Sequence, residues 1–307
     1  MSNFSFSIIL ATRNRQKTLQ RFVENLEMAD TKPGIELIIV DNNSSDTTST
    51  YLNELSASVP FIVVKENILG KSNSLNRGIK RASGEVFLFV DDDIIFENNY
   101  FVELEKVVRN YPEVNIFAGR ILVDIENVPA WIRESHNLRT LLTSEQDLGS
   151  DIFIFEVGEY PVGPNIAVRK SVLKDLEAPW PVAIGPGTAM PVGDEIGFLQ
   201  KISKPDDRDR LYNPESVVKH IPESYYSGFT AAAKRCFQAG LSASILSLPA
   251  LRMVDGNPVF IKLVISRLLS VRSIRELICI VVRFTGFLYG KYLYGNTRML
   301  DKNNLTG

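Results

Sequence analysis

Between Phe4 and Gly119 the sequence alternates between two hydrophobic periods, and this restricts the fold more than any other feature. The runs Phe4–Thr12, Ile35–Val40, Phe61–Glu66, Glu85–Val90 and Val114–Gly119 are short and rich in Ile, Val and Phe, which predicts strands. Leu19, Phe22, Val23 and Leu26 fall at i, i+3, i+4 and i+7, the spacing of one helical face. Ser45 or Asp46 is placed to cap a second helix through Leu55. Leu75 and Ile79 mark a third, ending near Ser83-Gly84, and Phe101, Leu104, Val107 and Val108 a fourth. Strands alternating with amphipathic helices predict an α/β fold with a Rossmann-like, mostly parallel central sheet flanked by helices. Near-continuous apolar strands fit burial on both faces.

In such sheets ligands gather at the carboxyl ends of strands. The polar clusters fall there: Thr12 to Arg15, Asp41 to Asp46, Glu66-Asn67, and Asp91-Asp92-Asp93. Four polar strand ends at one rim say more than any one alone.

After Asp124 the pattern loosens. Ile152–Val157 reads as a strand, Gly163–Asn165 as a turn, and Val172, Leu173 and Leu176 as a short helix. A Gly-rich loop, Gly185–Gly193, leads into a helix from Asp194 through Ile202. The run "KPDDRDR" is an exposed loop, Ser216–Ile221 a late strand, and Ser224–Ala239 a helix stopping at Gly240. Beyond Pro258 two helices are expected, the second opened by the capping-box pattern Ser273…Glu276. The expected division is 1–222 for the sheet domain and 223–307 for a C-terminal helical extension. Within the domain, a nucleotide half covers about 1–120 and an acceptor half about 121–222.

With 34 basic and 36 acidic residues, the chain lacks the charge signature of a nucleic-acid binder. The balance is uneven, however. From Asn257 onward the net charge is +6, leaving −8 on the rest of a chain whose total is −2. Cys236 and Cys279 form no disulfide framework and no CxxC motif. The first residues carry no charged-then-apolar leader, and no apolar run reaches the ~18 residues a membrane span needs. A cytoplasmic setting is expected.

The stretch Gly84–Phe96, "GEVFLFVDDDIIF", sets three carboxylates between two apolar runs. Two carboxylates about 5 Å apart repel by roughly 3 kcal/mol at an effective dielectric near 20. A divalent cation would relieve that repulsion, and hard oxygen ligands suit Mn2+ or Mg2+. The plainer reading is a solvated acidic turn, which the flanking apolar residues disfavour. His220 ends the late strand; it is either structural or a distant ligand completing this site. Asp41 could accept a hydrogen bond from a base ring N–H, or cap its own loop. "GKS" at Gly70–Ser72 is no phosphate loop, because Lys65 stands where that motif needs glycine. Gly70, Lys71 and Asn73 could still meet phosphate or ribose at a helix start. Asp194-Glu195 opens a helix, as a cap or as a general base for an acceptor hydroxyl.

Taken together, "ATRNR", "VDNNSSD", "ENILGKSNSLNRGIKRASGEVFLFVDDD", "GPNIAVRK" and "GDEIGFLQKI" resemble a family 2 glycosyltransferase of the GT-A fold, over Phe6 to about Gly240. The resemblance implies inverting transfer from a nucleotide-sugar donor, UDP by family habit, to a glycan or lipid-linked acceptor in bacterial surface polysaccharide synthesis. It places Thr12, Arg13, Arg15, Asp41, Asn43, Asn67, Gly70, Lys71, Asn73, Asp91 and Asp92 around the nucleotide. Asp93 becomes the direct metal ligand with Asp91, joined by His220. Gly163, Pro164 and Asn165 become the donor-sugar and acceptor wall. Glu195, or Asp194, becomes the base. The family order is Glu-Asp, whereas this chain has Asp-Glu, and the second place of the pair favours Glu195.

The apolar, basic tail has two readings: helices that complete the acceptor site or a homodimer, and a peripheral contact with the cytoplasmic face of an inner membrane. Two rival functions share the layout. A sugar-phosphate nucleotidyltransferase would carry a Gly-rich basic loop after strand one, and "ATRNRQK" has no glycine. A non-catalytic nucleotide-sugar-binding protein would have no use for the acidic pair.

Overall fold

The computed structural model describes residues 5–29, 34–156, 159–203, 208–221, 228–246, 253–254, 257–258, 271 and 273–294. The elements run β1 (Phe6–Thr12), α1 (Gln16–Met28), β2 (Ile35–Asp41), α2 (Thr48–Glu54), β3 (Phe61–Lys65), α3 (Lys71–Ile79), β4 (Val86–Val90), β5 (Ile94–Phe96) and α4 (Tyr100–Asn110). There follow β6 (Ile116–Val123), α5 (Ala130–Arg133), α6 (His136–Thr143), β7 (Phe153–Ile154), β8 (Asn165–Arg169), α7 (Asp194–Ile202), β9 (Arg210–His220), α8 (Phe229–Ile245) and α9 (Ile274–Tyr294).

One sheet carries the fold, in the order β3-β2-β1-β4-β8-β6-β9-β5, with β7 beside β9. The first four strands are parallel, as the alternating periods predict. Beyond β4 the sheet is mixed, because β8 enters antiparallel between β4 and β6. Alternate residues of each strand serve opposite cores. Ile8 and Leu10 pack with Phe22 of α1 and Leu104 of α4. Ile9 and Phe89 pack with Leu75 of α3 and Phe198 of α7. On this second face the Trp180 and Phe198 rings stack at 4.2 Å, with Phe89 edge-on to both.

Three expectations need correction. The late strand begins at Arg210, not Ser216. At Asn213-Pro214-Glu215 the strand bulges, and its pairing with β6 shifts register between Gly119 and Arg120. The predicted strand at Ile152–Val157 shrinks to Phe153–Ile154 among the described residues. Finally, α8 runs through Gly240 to Ile245. That glycine is a contact, not a stop: a Cβ there would lie 1.9 Å from the Arg283 carbonyl oxygen of α9. The same crossing sets Gly286 against the Phe237 backbone and Gly290 against Ser244. Of the tail, α9 starts where its capping pattern predicts, with the Glu276 N–H donating to Ser273 Oγ at 3.2 Å. The first predicted tail helix and the loop at 204–207 lie outside the described residues.

Candidate active site

The polar strand ends meet at one rim, and their loops are tied to one another. Asn14, at φ 54°, clasps the loop after β2: Ser45 N–H donates to Asn14 Oδ1 at 2.7 Å, and Asn14 N–H donates to Ser44 Oγ at 3.0 Å. Asn42 clamps the loop after β3, donating through Nδ2 to the Ile68 carbonyl at 2.8 Å and accepting from Gly70 N–H at 2.8 Å. Asp41 first closes its own loop. Its two oxygens accept from Ser44 N–H at 3.0 Å and the Ser49 hydroxyl at 2.6 Å. A base contact has only the second lone pair of each oxygen to use. Arg13, Asn43 and Asn67 are exposed at this rim.

The three aspartates have three roles. Asp92 is a buried strut: it accepts from the Thr12 hydroxyl at 2.7 Å and lies 3.0 Å from Arg15 Nε. Burial pushes its carboxyl up to about 7, with Arg15 pulling the other way. Asp92, expected at the nucleotide, is thus buried and held by Thr12 and Arg15. Arg15 likewise is spent on the carboxylates, donating to Asp93 Oδ2 at 2.7 Å. Asp91 is half-buried and pairs with Lys71 at the start of α3.

The second apolar run now has its reason. Ile94–Phe96 is β5, antiparallel to the end of β9, with Ile94 opposite His220. That pairing, and the Ile221 N–H donating to the Asp93 carbonyl at 2.9 Å, carry His220 to the triplet. His220 Nε2 lies 3.2 Å from Asp93 Oδ1, and Nδ1 lies 2.6 Å from the Thr143 carbonyl oxygen. Only an N–H can approach a carbonyl this closely, so Nδ1 holds a proton. Burial would lower the His220 pKa, but Asp93 more than offsets it and raises the value above the ordinary one. Burial would raise Asp93, but His220 and Arg15 hold it below the usual carboxylate range.

The pair fits a metal. Neighbouring ligands in an octahedral shell with bonds of about 2.1 Å stand about 3 Å apart, close to the 3.2 Å seen here. A carbonyl on the far ring nitrogen is the usual orientation for a ligating histidine. Among the described residues no three His, Cys, Asp or Glu side chains form a ready cage. Asp91, expected as a further ligand, is turned to Lys71.

Lys71 joins the triplet to the acidic pair. The Lys71 N–H donates to the Pro186 carbonyl at 3.0 Å, so α3 and the Gly-rich loop share an anchor. Gly70 at φ +130° and Gly187 at φ +93° permit this: a Cβ on Gly187 would lie 3.0 Å from Gly70 Cα. Burial opposes the charge on Lys71, but Asp91, Asp194 and Glu195 raise its pKa. Asp194 is buried beneath Gly185, where a Cβ would lie 2.8 Å from Asp194 Cγ. Burial and the neighbouring Glu195 charge raise its pKa, against the pull of Lys71. Glu195 is half-buried and flanks Gly163, whose Cβ position lies 3.7 Å from Glu195 Cδ.

Asn165 was expected in the donor-sugar and acceptor wall. It is buried, and its amide is consumed in the core: Tyr100 Oη donates to Oδ1 at 2.5 Å, and Nδ2 donates to the Ser216 and Arg120 carbonyls at 3.0 and 3.2 Å. Gly163, not Asn165, stands beside the acidic pair. Asn73 donates to the Leu69 carbonyl at 3.1 Å, holding its own turn. Sequence reasoning missed Asn42, Thr143 and Asn76, which exchanges two 2.9 Å hydrogen bonds with the Trp180 backbone. Asn42 carried a signal, its place behind Asp41 at a strand end; the others carried none.

The family described as Glycosyl transferase family 2 matches residues 7–176. The chain belongs to this family. Membership sets aside the nucleotidyltransferase alternative. Among related glycosyltransferases, the dolichol-phosphate mannosyltransferase of Pyrococcus furiosus is 26% identical over 175 residues, 56% of this chain and 48% of that protein. The Escherichia coli protein WfaP, a UDP-Glc:alpha-D-GlcNAc-diphosphoundecaprenol beta-1,3-glucosyltransferase, is 30% identical over 130 residues, 40% of this chain and 51% of its own. The chain thus spans about half the length of these two relatives. In fold it is similar to the mannosyltransferase PcManGT from Pyrobaculum calidifontis, solved with GDP-Man and Mn2+, with a TM-score of 0.58 at 16% identity, covering 96% of this chain and 77% of that one. The mixed sheet, flanking helices and C-terminal helices are those of a GT-A fold.

Proposed function

We propose that the chain is an inverting glycosyltransferase that moves a sugar from a nucleoside-diphosphate donor to a hydroxyl of a glycan or lipid-linked acceptor in surface-polysaccharide synthesis. The observation that carries this reading is the convergence of Asp93, His220, Lys71 and Glu195 from four distant segments on one rim. Family membership and the activities of both relatives support it. Asp93 and His220 would hold Mn2+ or Mg2+, with Asp91 recruited from Lys71. When bound, the cation neutralises charge on a diphosphate leaving group. Lys71 supplies a fixed positive charge between the diphosphate side and the acidic pair. Gly163 leaves room beside Glu195 for the acceptor.

Glu195 is the base in this reading, because its carboxylate is the more accessible of the pair and flanks the glycine wall. It takes the acceptor hydroxyl proton as the oxygen attacks the anomeric carbon opposite the leaving group, through an oxocarbenium-like transition state. Asp194 supports it from below. Residues 1–120 would form the donor half, 121–222 the acceptor half, and 223–307 the helical extension.

The test is release of nucleoside diphosphate from UDP-, GDP- and dTDP-sugars, with a synthetic sugar-diphosphoundecaprenol as acceptor, by the wild type and Glu195→Gln. Consumption of one donor, lost in the variant, is expected. Release from none of them, or release indifferent to Glu195, would refute the transferase reading and favour a non-catalytic binder.

A further inference from the structure

The short helix α6 joins two buried polar contacts. At its start Ser135, the N-cap, accepts from the Leu138 N–H at 3.3 Å and donates its hydroxyl proton to Glu276 in the first turn of α9. Donation to a carboxylate turns the hydroxyl lone pairs toward the helix, which suits the cap. At its end Ser144, at φ 60°, turns the chain aside. The Thr143 carbonyl is one of the last four of the helix, which have no partner within it, and it accepts from His220 Nδ1 at 2.6 Å. Ser135, Thr143, His220 and Glu276 are all buried.

A buried carboxylate is costly unless its oxygens are satisfied, and Glu276 begins a helix that otherwise meets α6 through apolar side chains. Ile132, Leu138, Leu142, Cys236 and Cys279 form the cluster that packs α5, α6, α8 and α9 together. Apolar packing is non-directional and does not by itself fix the tilt of a helix. Directed hydrogen bonds at its ends do. Just past α6, Gln146 is fastened to β6, its Nε2 donating to the Gly119 carbonyl at 3.0 Å. The other end, about 12 Å away for a helix of eight residues, is held by Glu276.

We propose that Glu276 is a positioning residue for His220: through Ser135 and α6 it sets the Thr143 carbonyl that aims the imidazole at Asp93. A small tilt of α6 would bend or lengthen the 2.6 Å contact, and a carbonyl behind a ligating histidine is the support that holds such a ring. In this way α9 serves the cation site without supplying a ligand. The use of that aim rests on the cation reading given above; the linkage itself does not.

The test is the ring N–H signal of His220 in the 15N-labelled full chain, without metal. The chain has two histidines, so the signal is identified by its loss in His220→Gln. In the wild type the Nδ1 proton, bonded to a carbonyl, is expected far downfield and slow to exchange. Glu276→Ala is expected to move it upfield and speed its exchange. The same variant is expected to bind Mn2+ roughly tenfold more weakly, the lower end of the range for lost support of a metal ligand. Glu276→Gln, which still accepts from Ser135, is expected to restore both. If Glu276→Ala does not fold, Glu276→Leu, which refills the space, replaces it. A folded variant with an unchanged ring signal overturns the proposal, whatever its Mn2+ affinity. A changed ring signal sustains it even where His220→Gln binds Mn2+ normally, the result that would instead refute the cation reading.

Discussion

His220 Nε2 stands 3.2 Å from Asp93 Oδ1 because Ile94 and His220 are partners across β5 and β9. The ring is oriented from behind by the Thr143 carbonyl at 2.6 Å. If the pair holds a cation, His220→Gln should weaken Mn2+ binding by about 10–100-fold, the range typical of lost metal-site support. Titration followed by the electron-spin signal of free Mn2+ reads this directly. Unchanged affinity would make His220 a structural partner of Asp93 only.

Glu195 and Asp194 are separable by function. Glu195→Gln should lower kcat/KM by about 10²–10⁴-fold, the contribution of a general base, without weakening nucleotide binding. Asp194→Asn should cost less, because that carboxyl is buried beneath Gly185. An equal or greater loss in Asp194→Asn would reverse the assignment.

The burial of Asp194 also predicts a pH dependence of stability. Its folded pKa is raised, from 3.8 to about 8. The native state therefore binds this proton more tightly than the unfolded chain does. The associated stability is complete below about pH 4 and is lost as pH rises toward the raised value. Asp194→Asn removes the titration. Thermal melts at pH 5 and pH 8 should show the variant gaining on the wild type at the higher pH. A constant difference would contradict the burial argument.

Gly119 is fixed by its neighbours. A Cβ there would lie 2.1 Å from the Ser216 carbonyl oxygen and 2.2 Å from Asn165 Nδ2. Gly119→Ala should destabilise the fold by about 1–3 kcal/mol or more, as overpacking does, measured by urea unfolding. A neutral effect would mean that the β9 bulge yields easily.

Much of this was legible in the sequence wherever the signal was local. The helical face at Leu19, Phe22, Val23 and Leu26 is buried as spaced, and α7 spans Asp194–Ile202 as read. Illegible features depend on partners far along the chain. Nothing near Asn165 announces that Tyr100 and Ser216 will consume its amide. Gly240 reads as a helix stop until α9 is seen to need the space. The bulge at Asn213-Pro214 shows only in the pairing of β9 with β6. The aspartate triplet announced a charge problem, but not that Arg15, Lys71 and His220 would divide it among them.

The central claim is that the rim binds a nucleoside diphosphate through a cation at Asp93. Calorimetric titration of UDP, GDP and dTDP, each with and without Mn2+, into the wild type and Asp93→Asn tests it most directly. The account predicts that one nucleotide binds, that Mn2+ is required, and that the substitution abolishes the binding. A folded wild type that binds none of the three, or binds one regardless of Mn2+ and of Asp93, would contradict it.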